Sequence, residues 1–253
     1  MGSAVALHNV SVLLVNPLLP GNVGAVARAM KNMGLRNLKL VGDMDLSALE
    51  CRKMAMHASD ILDHARIFES FEAAVATAQL LVGTTSVRGR RRRTRVHTAR
   101  EMTEIIKDYA ASQKVCLVFG PERKGLSEDQ LARCQYLVTI PASSEFPTLN
   151  LAQSVMIMAY ELYTVEGCGE SVSMELASQG EKDAMFQHMQ DTLTEIGFLS
   201  QRAPEHIMRA IRRLLGKSEL TAKDVLIIRG IMSQMDWYVR SGNSMDPDEV
   251  KKP

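Results

Sequence analysis

The run V-S-V-L-L-V at Val10–Val15 is almost unbroken in apolar side chains and stops at Asn16-Pro17, the pattern of a strand buried on both faces of its sheet. After the loop at 18–21, Val23, Val26, Met30 and Met33 recur at helical spacing, with Asn22 placed as an N-cap and Gly34 just beyond the end. The alternation continues. Apolar runs at 38–41, 80–83, Val115–Phe119 and 136–140 predict strands. Helix-like stretches at 48–57, 69–78, 98–112 and onward from Ser127 predict helices, the last opened by Ser127 and Gln130 at capping-box spacing. Residues 151–163 are apolar nearly all round, which predicts a helix buried on most sides. Strands and helices in this order predict an α/β fold with a mostly parallel sheet.

Between 167 and 180 the periodicity gives way to Gly, Ser and Glu, and this stretch reads as a linker. It divides the chain into an α/β domain at 1–166 and a small all-helical extension at 181–253. Met185, Met189, Leu193 and Ile196 mark the first helix of the extension, and Ile207, Ile211, Leu214 and Leu215 the second. The third, 225–237, follows Thr221 and Asp224 at capping-box spacing. Residues 244–253 read as a frayed polar tail.

At 253 residues and 46% hydrophobic, the chain can bury a full core. No apolar run approaches the roughly 20 residues that span a bilayer, and the start lacks a signal peptide, so a cytoplasmic protein is expected. Cys51, Cys116, Cys134 and Cys168 have neither CxxC pairing nor a nearby His at ligand spacing; they read as reduced, mostly buried thiols, and no metal is expected. The six histidines show no paired spacing and read as structural or surface residues. The net charge of +1 points to no polyanionic partner by itself, but its distribution does. Arg88, Arg90, Arg91, Arg92, Arg93, Arg95 and Arg100 fall in one stretch without an acid before Glu101, a block that repels itself unless something anionic lies against it. His206, Arg209, Arg212, Arg213 and Lys217 form a second basic face on the extension, where a solvated helix surface is the simpler reading.

Three loops carry candidate chemistry. In N-P-L-L-P-G-N-V-G-A-V-A-R at 16–28, Gly21 and Gly24 would let the backbone approach a ligand, Asn22 sits at a helix N-terminus, and Arg28 adds a permanent fork of donors. In F-G-P-E-R-K-G-L-S at 119–127, Gly120, Gly125 and Ser127 nearly match a P-loop, but Leu126 replaces its lysine, Pro121 removes a donor and Glu122 adds negative charge. That loop suits a neutral or cationic ligand, or plain turn chemistry, better than a triphosphate. In I-P-A-S-S-E-F-P-T-L-N-L-A-Q-S-V at 140–155, Pro141 and Pro147 stiffen a loop whose Thr148 and Asn150 can cap the next helix or bind a ligand.

In order and spacing these loops resemble the three signature motifs of the SPOUT methyltransferases, specifically the TrmH-like RNA ribose 2′-O-methyltransferases, from about residue 10 to 163. The form N-x-x-x-P-G-N-V-G-A-V-A-R-A-M looks most like the TrmJ type, which methylates cytidine or uridine at tRNA position 32 in the anticodon loop. The C-terminal extension, with L-T-A-K-D at 220–224 and I-R-G at 228–230, resembles the extension of that type.

The resemblance implies a C-terminal trefoil knot, a homodimer with active sites near the subunit interface, and S-adenosylmethionine as methyl donor, left as S-adenosylhomocysteine. It places the donor against Thr85, Ser86 and Val87, Gly120, and Ile140, Pro147, Thr148, Leu149 and Asn150. It makes Arg28 catalytic. An arginine rarely gives up its proton, so an electrostatic role fits better: Arg28 holds the phosphate beside the target and stabilises the developing alkoxide, Asn22 fixes its orientation and Glu122 supports the loop. Arg88, Arg90, Arg91, Arg92, Arg93 and Arg95 are the candidates for tRNA backbone contact. Alternatives are a 2′-O-methyltransferase acting elsewhere on tRNA or on rRNA, base methylation at guanosine, a P-loop-like nucleotide hydrolase, and a non-catalytic RNA-binding module; donor binding separates the last from the methyltransferase readings.

Overall fold

The computed structural model describes residues 6–85, 96–165, 174–199, 204–216 and 218–241. Seven strands are described: β1 (Val10–Val15), β2 (Asn37–Val41), β3 (Arg66–Phe68), β4 (Leu80–Thr84), β5 (Val96–Thr98), β6 (Val115–Phe119) and β7 (Tyr136–Thr139). They pair in the order β3-β2-β1-β6-β4-β7-β5, every pair parallel. Their connections carry α1 (Pro20–Asn32), α2 (Leu49–Ala55), α3 (Ser59–Asp63), α4 (Phe71–Val75), α5 (Ala99–Ala110) and α6 (Glu128–Arg133), and α7 (Leu151–Thr164) follows β7.

Alternation within β1 explains why its sequence is apolar throughout. Val10, Val12 and Leu14 join the core under α1, α2, α5 and α7, while Leu13 and Val15 join the core under α4 and α6. A parallel sheet covered on both faces requires this. The late strands do not extend the sheet at its edge. β6 enters between β1 and β4, and β7 between β4 and β5, after which α7 returns to pack on α1.

The short elements β3, α3 and β5 had no signal in the sequence. β3 (Arg-Ile-Phe) is a largely exposed three-residue edge strand, and β5 is three residues long at the opposite edge. α7 also differs from expectation. Leu151, Val155, Met158, Ala159 and Leu162 form one buried stripe, whereas Met156 and Ile157 are half-buried and Tyr160 and Tyr163 exposed. The helix is therefore apolar on a side that this chain does not cover.

Beyond residue 173, α8 (Gln179–Glu195), α9 (Pro204–Leu215) and α10 (Ala222–Arg240) enclose a separate apolar core of Met185, Phe186, Met189, Met208, Val225 and Met232. α8 and α10 open with the capping boxes Ser178–Glu181 and Thr221–Asp224. The end of the stretch read as a linker is thus structured: Leu176 bridges Thr221, and Gln179 and Gly180 donate to the main-chain oxygens of Ala78 and Ala76. Asp183 accepts from both Arg133 and Arg212, and Tyr136 donates to Glu219 at 2.6 Å. Two of the five residues of the second basic face are taken up by such contacts. Arg209 pairs with Asp129 at 2.6 Å, and Arg212 pairs with Asp183 and lies 4.5 Å over the Phe186 ring. Cys51, Cys116 and Cys134 are buried free thiols; Cys168, Lys217 and 244–253 lie outside the described residues.

Candidate active site

In a parallel sheet the loops after the strands gather at one end, where main-chain groups are free to meet a ligand. Here the loops after β1, β6 and β7 are joined by side chains. Glu122 Oε1 accepts a hydrogen bond from Asn22 Nδ2 at 2.7 Å, and Glu122 Oε2 accepts one from the Leu18 N–H at 3.0 Å. Asn22 Oδ1 in turn accepts from Asn150 Nδ2 at 3.0 Å. The three segments singled out in the sequence thus meet through one chain of contacts, Asn150–Asn22–Glu122.

The local sequence frees Asn22 for this. α1 starts at Pro20, whose fixed φ and missing N–H suit a first helical position, with extended Leu19 before it and no side-chain cap. Asn22 therefore lies inside the first turn and is not the N-cap expected of it. Asn150 is the N-cap of α7: its Oδ1 accepts from the Ala152 N–H at 2.8 Å, and Gln153 closes the capping box. Its amide is divided between the cap and Asn22.

The glycines of the first loop also act differently from expectation. A Cβ on Gly24 would stand 2.0 Å from the Cys51 carbonyl oxygen, and one on Gly21 would stand 2.6 Å from Glu50 Oε1. They let α2 approach α1, not a ligand approach the backbone. Gly120 belongs to its own loop in the same sense: a Cβ there would lie 2.3 Å from Leu126 N, where the chain folds back through the Gly125 N–H to Pro121 O bond.

A cleft of about 230 Å³ opens between these loops. Of the residues expected at a donor site, Thr85, Gly120, Ile140, Pro147, Thr148 and Leu149 line it. Asn150 does not, being taken up by the cap and by Asn22. Ser86, Val87, Arg88, Arg90, Arg91, Arg92, Arg93 and Arg95 lie outside the described residues. Sequence reasoning missed the apolar floor of Phe119, Leu126, Val138 and Leu151. For Phe119 and Val138 the signal available was the last core residue of the strand, just ahead of the loop; Leu126 and Leu151 lie outside the strands and carried no such signal. Glu122, Arg123 and Lys124 line the cleft too. Leu126 occupies the place a P-loop gives to lysine and is buried against the floor.

Arg28 stands elsewhere. It is exposed, pairs with no acid among the described residues, and lines a separate open groove of about 640 Å³ between α1 and α7 with Ala25, Ala29, Met156 and Ile157. Leu149 lines both groove and cleft, so the two share a wall. Within one chain Asn22 and Arg28 do not meet: the two are six positions apart on α1, and the Asn22 amide is engaged by Glu122 and Asn150.

Comparison with known proteins agrees over nearly the whole chain. Residues 9–160 match the SpoU rRNA Methylase family, and residues 181–247 match the C-terminal domain of the tRNA methyltransferase TrmJ. The tRNA (cytidine/uridine/adenosine-2′-O-)-methyltransferase TrmJ of Pseudomonas aeruginosa (strain UCBPP-PA14) is 38% identical over 248 residues, covering 92% of this chain and 96% of the relative. The tRNA (cytidine/uridine-2′-O-)-methyltransferase TrmJ of Yersinia pestis (strain Pestoides F) is 34% identical over 246 residues, covering 91% and 92%. The crystal structure of TrmJ from Z. mobilis ZM4 superposes with a TM-score of 0.79 at 32% identity, covering 89% of this chain and 98% of that one. No helix among the described residues is long and apolar enough to cross a membrane.

Proposed function

Because the chain belongs to the SpoU rRNA methylase family, with TrmJ relatives along nearly its full length, we propose that it transfers a methyl group from S-adenosylmethionine to a ribose 2′-hydroxyl in the tRNA anticodon loop, at position 32. The observation that carries the site assignment is the Asn150–Asn22–Glu122 chain, which holds the loops after β1, β6 and β7 around one cleft.

The cleft fits the donor. Its floor is apolar, Gly120 and the 147–149 segment line it, and Leu126 stands where a P-loop has its lysine, while Glu122 offsets part of the charge of Arg123 and Lys124. S-adenosylmethionine supplies an electrophilic methyl on a sulfonium. Thr85, Ile140 and Leu149 line the cleft and would contact its nucleoside half, with Ser86 and Val87 next in sequence after Thr85. Glu122 is a positioning residue: its two oxygens are used by Asn22 and Leu18, so it keeps the cleft in shape.

Rate then depends on placing a ribose oxygen in line with the methyl and on stabilising the charge left as the proton departs. Arg28, exposed and without an acid partner among the described residues, is the group for that charge. It stands across Leu149 from the cleft of its own chain, in the α1/α7 groove. A homodimer formed through the uncovered apolar side of α7 would bury that groove and bring Arg28 to the neighbouring site. We read the chain as an α/β domain, a linker and a helical extension, a division that the two family matches support, and the arginines of 88–95, together with the exposed Arg123 and Lys124, supply cations for the tRNA backbone.

The test is transfer of labelled methyl from S-adenosylmethionine to unmodified tRNA transcripts and to ribosomal RNA fragments. Label in tRNA alone supports the reading. Label in ribosomal RNA alone moves the substrate, and donor binding without transfer to either removes the tRNA assignment.

A further inference from the structure

Phe146 is 78% exposed, more than any other aromatic ring among the described residues, and it stands immediately before the cleft-lining segment Pro147, Thr148 and Leu149. An exposed Phe on a surface loop is ordinary in isolation. Three features of its surroundings change its meaning. Pro147 restricts the backbone of Phe146 to extended conformations, and Pro141 stiffens the loop upstream, so the ring is presented on a stem that loses little entropy when it is covered. Arg123 and Lys124 line the same cleft as Pro147, Thr148 and Leu149, exposed and without an acid partner among the described residues. At the same end of the sheet, Leu18 and Leu19 are 48% and 55% exposed, so the region is apolar as well as cationic.

An exposed ring at the edge of a cleft that also carries two cations is an arrangement that suits single-stranded nucleic acid: a π-face for a base and charge for the backbone beside it. Glu145, next to the ring, argues against phosphate on that side of the cleft and leaves the base as the group Phe146 meets. Resting on the proposed transfer to an anticodon-loop ribose, we propose that Phe146 is a positioning residue for the RNA: its ring stacks on an unpaired base at or next to the methylated nucleotide, while Arg123 and Lys124 hold the adjoining phosphates. Stacking acts on bases already free of pairing and leaves the choice of loop to other contacts. This ring therefore favours an unpaired loop nucleotide over the same nucleotide in a stem.

The experiment compares wild type with Phe146→Ala, Phe146→Leu and Phe146→Trp in steady-state methylation of a tRNA transcript, together with titration of S-adenosylmethionine and the solution mass of each variant. Phe146→Ala is expected to raise KM for tRNA roughly tenfold, the equivalent of one lost base stack, with donor affinity unchanged. Phe146→Trp keeps wild-type KM. Phe146→Leu, apolar but without a π-face, behaves like Ala. Recovery by Leu would overturn the proposal, since an aliphatic contact would then suffice; so would an unchanged KM in Phe146→Ala, or a change of oligomeric mass that makes the ring a contact between copies. If wild type itself fails to methylate tRNA, the functional reading falls, and that outcome is distinct from all of these.

Discussion

Asn22 and Glu122 are separated by 100 positions in the chain and stand 2.7 Å apart, amide nitrogen to carboxylate oxygen. The bond ties the first turn of α1 to the loop after β6. Since Asn150 holds the other end of the same amide, the three loops are joined as one unit.

Glu122→Gln tests that unit. A glutamine offers one acceptor where the carboxylate offers two, so its NH₂ must face either Asn22 Nδ2 or the Leu18 N–H, donor against donor. We expect donor affinity to fall about tenfold or more, in line with about 1.5–3 kcal/mol for a hydrogen bond to a charged group. Calorimetric titration with S-adenosylmethionine reads it, and unaltered affinity would show that the carboxylate does not shape the cleft.

Arg28→Ala separates chemistry from folding. The side chain is exposed and has no acid partner among the described residues, so its removal is expected to change stability by less than about 0.5 kcal/mol. Turnover is expected to fall by about a hundredfold or more, as when a group that stabilises transition-state charge is lost. Single-turnover rates at saturating donor check this, and wild-type rates would remove Arg28 from the mechanism.

Gly24→Ala addresses the scaffold. Its Cβ would collide with the Cys51 carbonyl and the Ala55 backbone, neither of which is a flexible tip. We expect a loss of about 2–3 kcal/mol, of the order of other overpacking substitutions, read as a lower melting temperature. A melting point equal to wild type would mean that α1 and α2 are less closely packed than described.

Lys182 gives the protein a distinctive pH dependence. It is 4% exposed, donates to Gln79 O at 3.1 Å, and burial pushes its ammonium down to about 8 despite the nearby acids Glu181, Asp183 and Glu219. An unfolded lysine titrates near 10.4. Between about pH 8 and pH 10 the unfolded chain therefore binds more protons than the folded one, and this residue makes stability rise with pH across that window. Below it both states are charged and the burial penalty is present in full. Denaturation curves should show wild type gaining on Lys182→Met from pH 8 to pH 10; parallel curves would contradict the shift.

The sequence made the strand–helix alternation legible because a doubly covered sheet writes itself as unbroken apolar runs such as Val10–Val15 and Val115–Phe119. Capping chemistry was equally readable at Ser127 and Thr221, where side chain and backbone sit three residues apart. What escaped was non-local. Nothing near Gly24 announces that α2 will lie against it, and nothing near Asn22 announces that its partners are Glu122 and Asn150. The loops could be chosen one by one, but their joining depends on strand order, which inserts β6 beside β1. β3 and β5 were missed because edge strands of three residues need little apolar patterning.

The central claim is ribose methylation in the anticodon loop. The most direct measurement is to methylate an unmodified tRNA transcript with isotopically labelled S-adenosylmethionine, digest it with nucleases and locate the labelled nucleotide by mass spectrometry. The account predicts one methyl on the 2′-oxygen of the nucleotide at position 32. A methyl on a base, or on a ribose outside the anticodon loop, would contradict it.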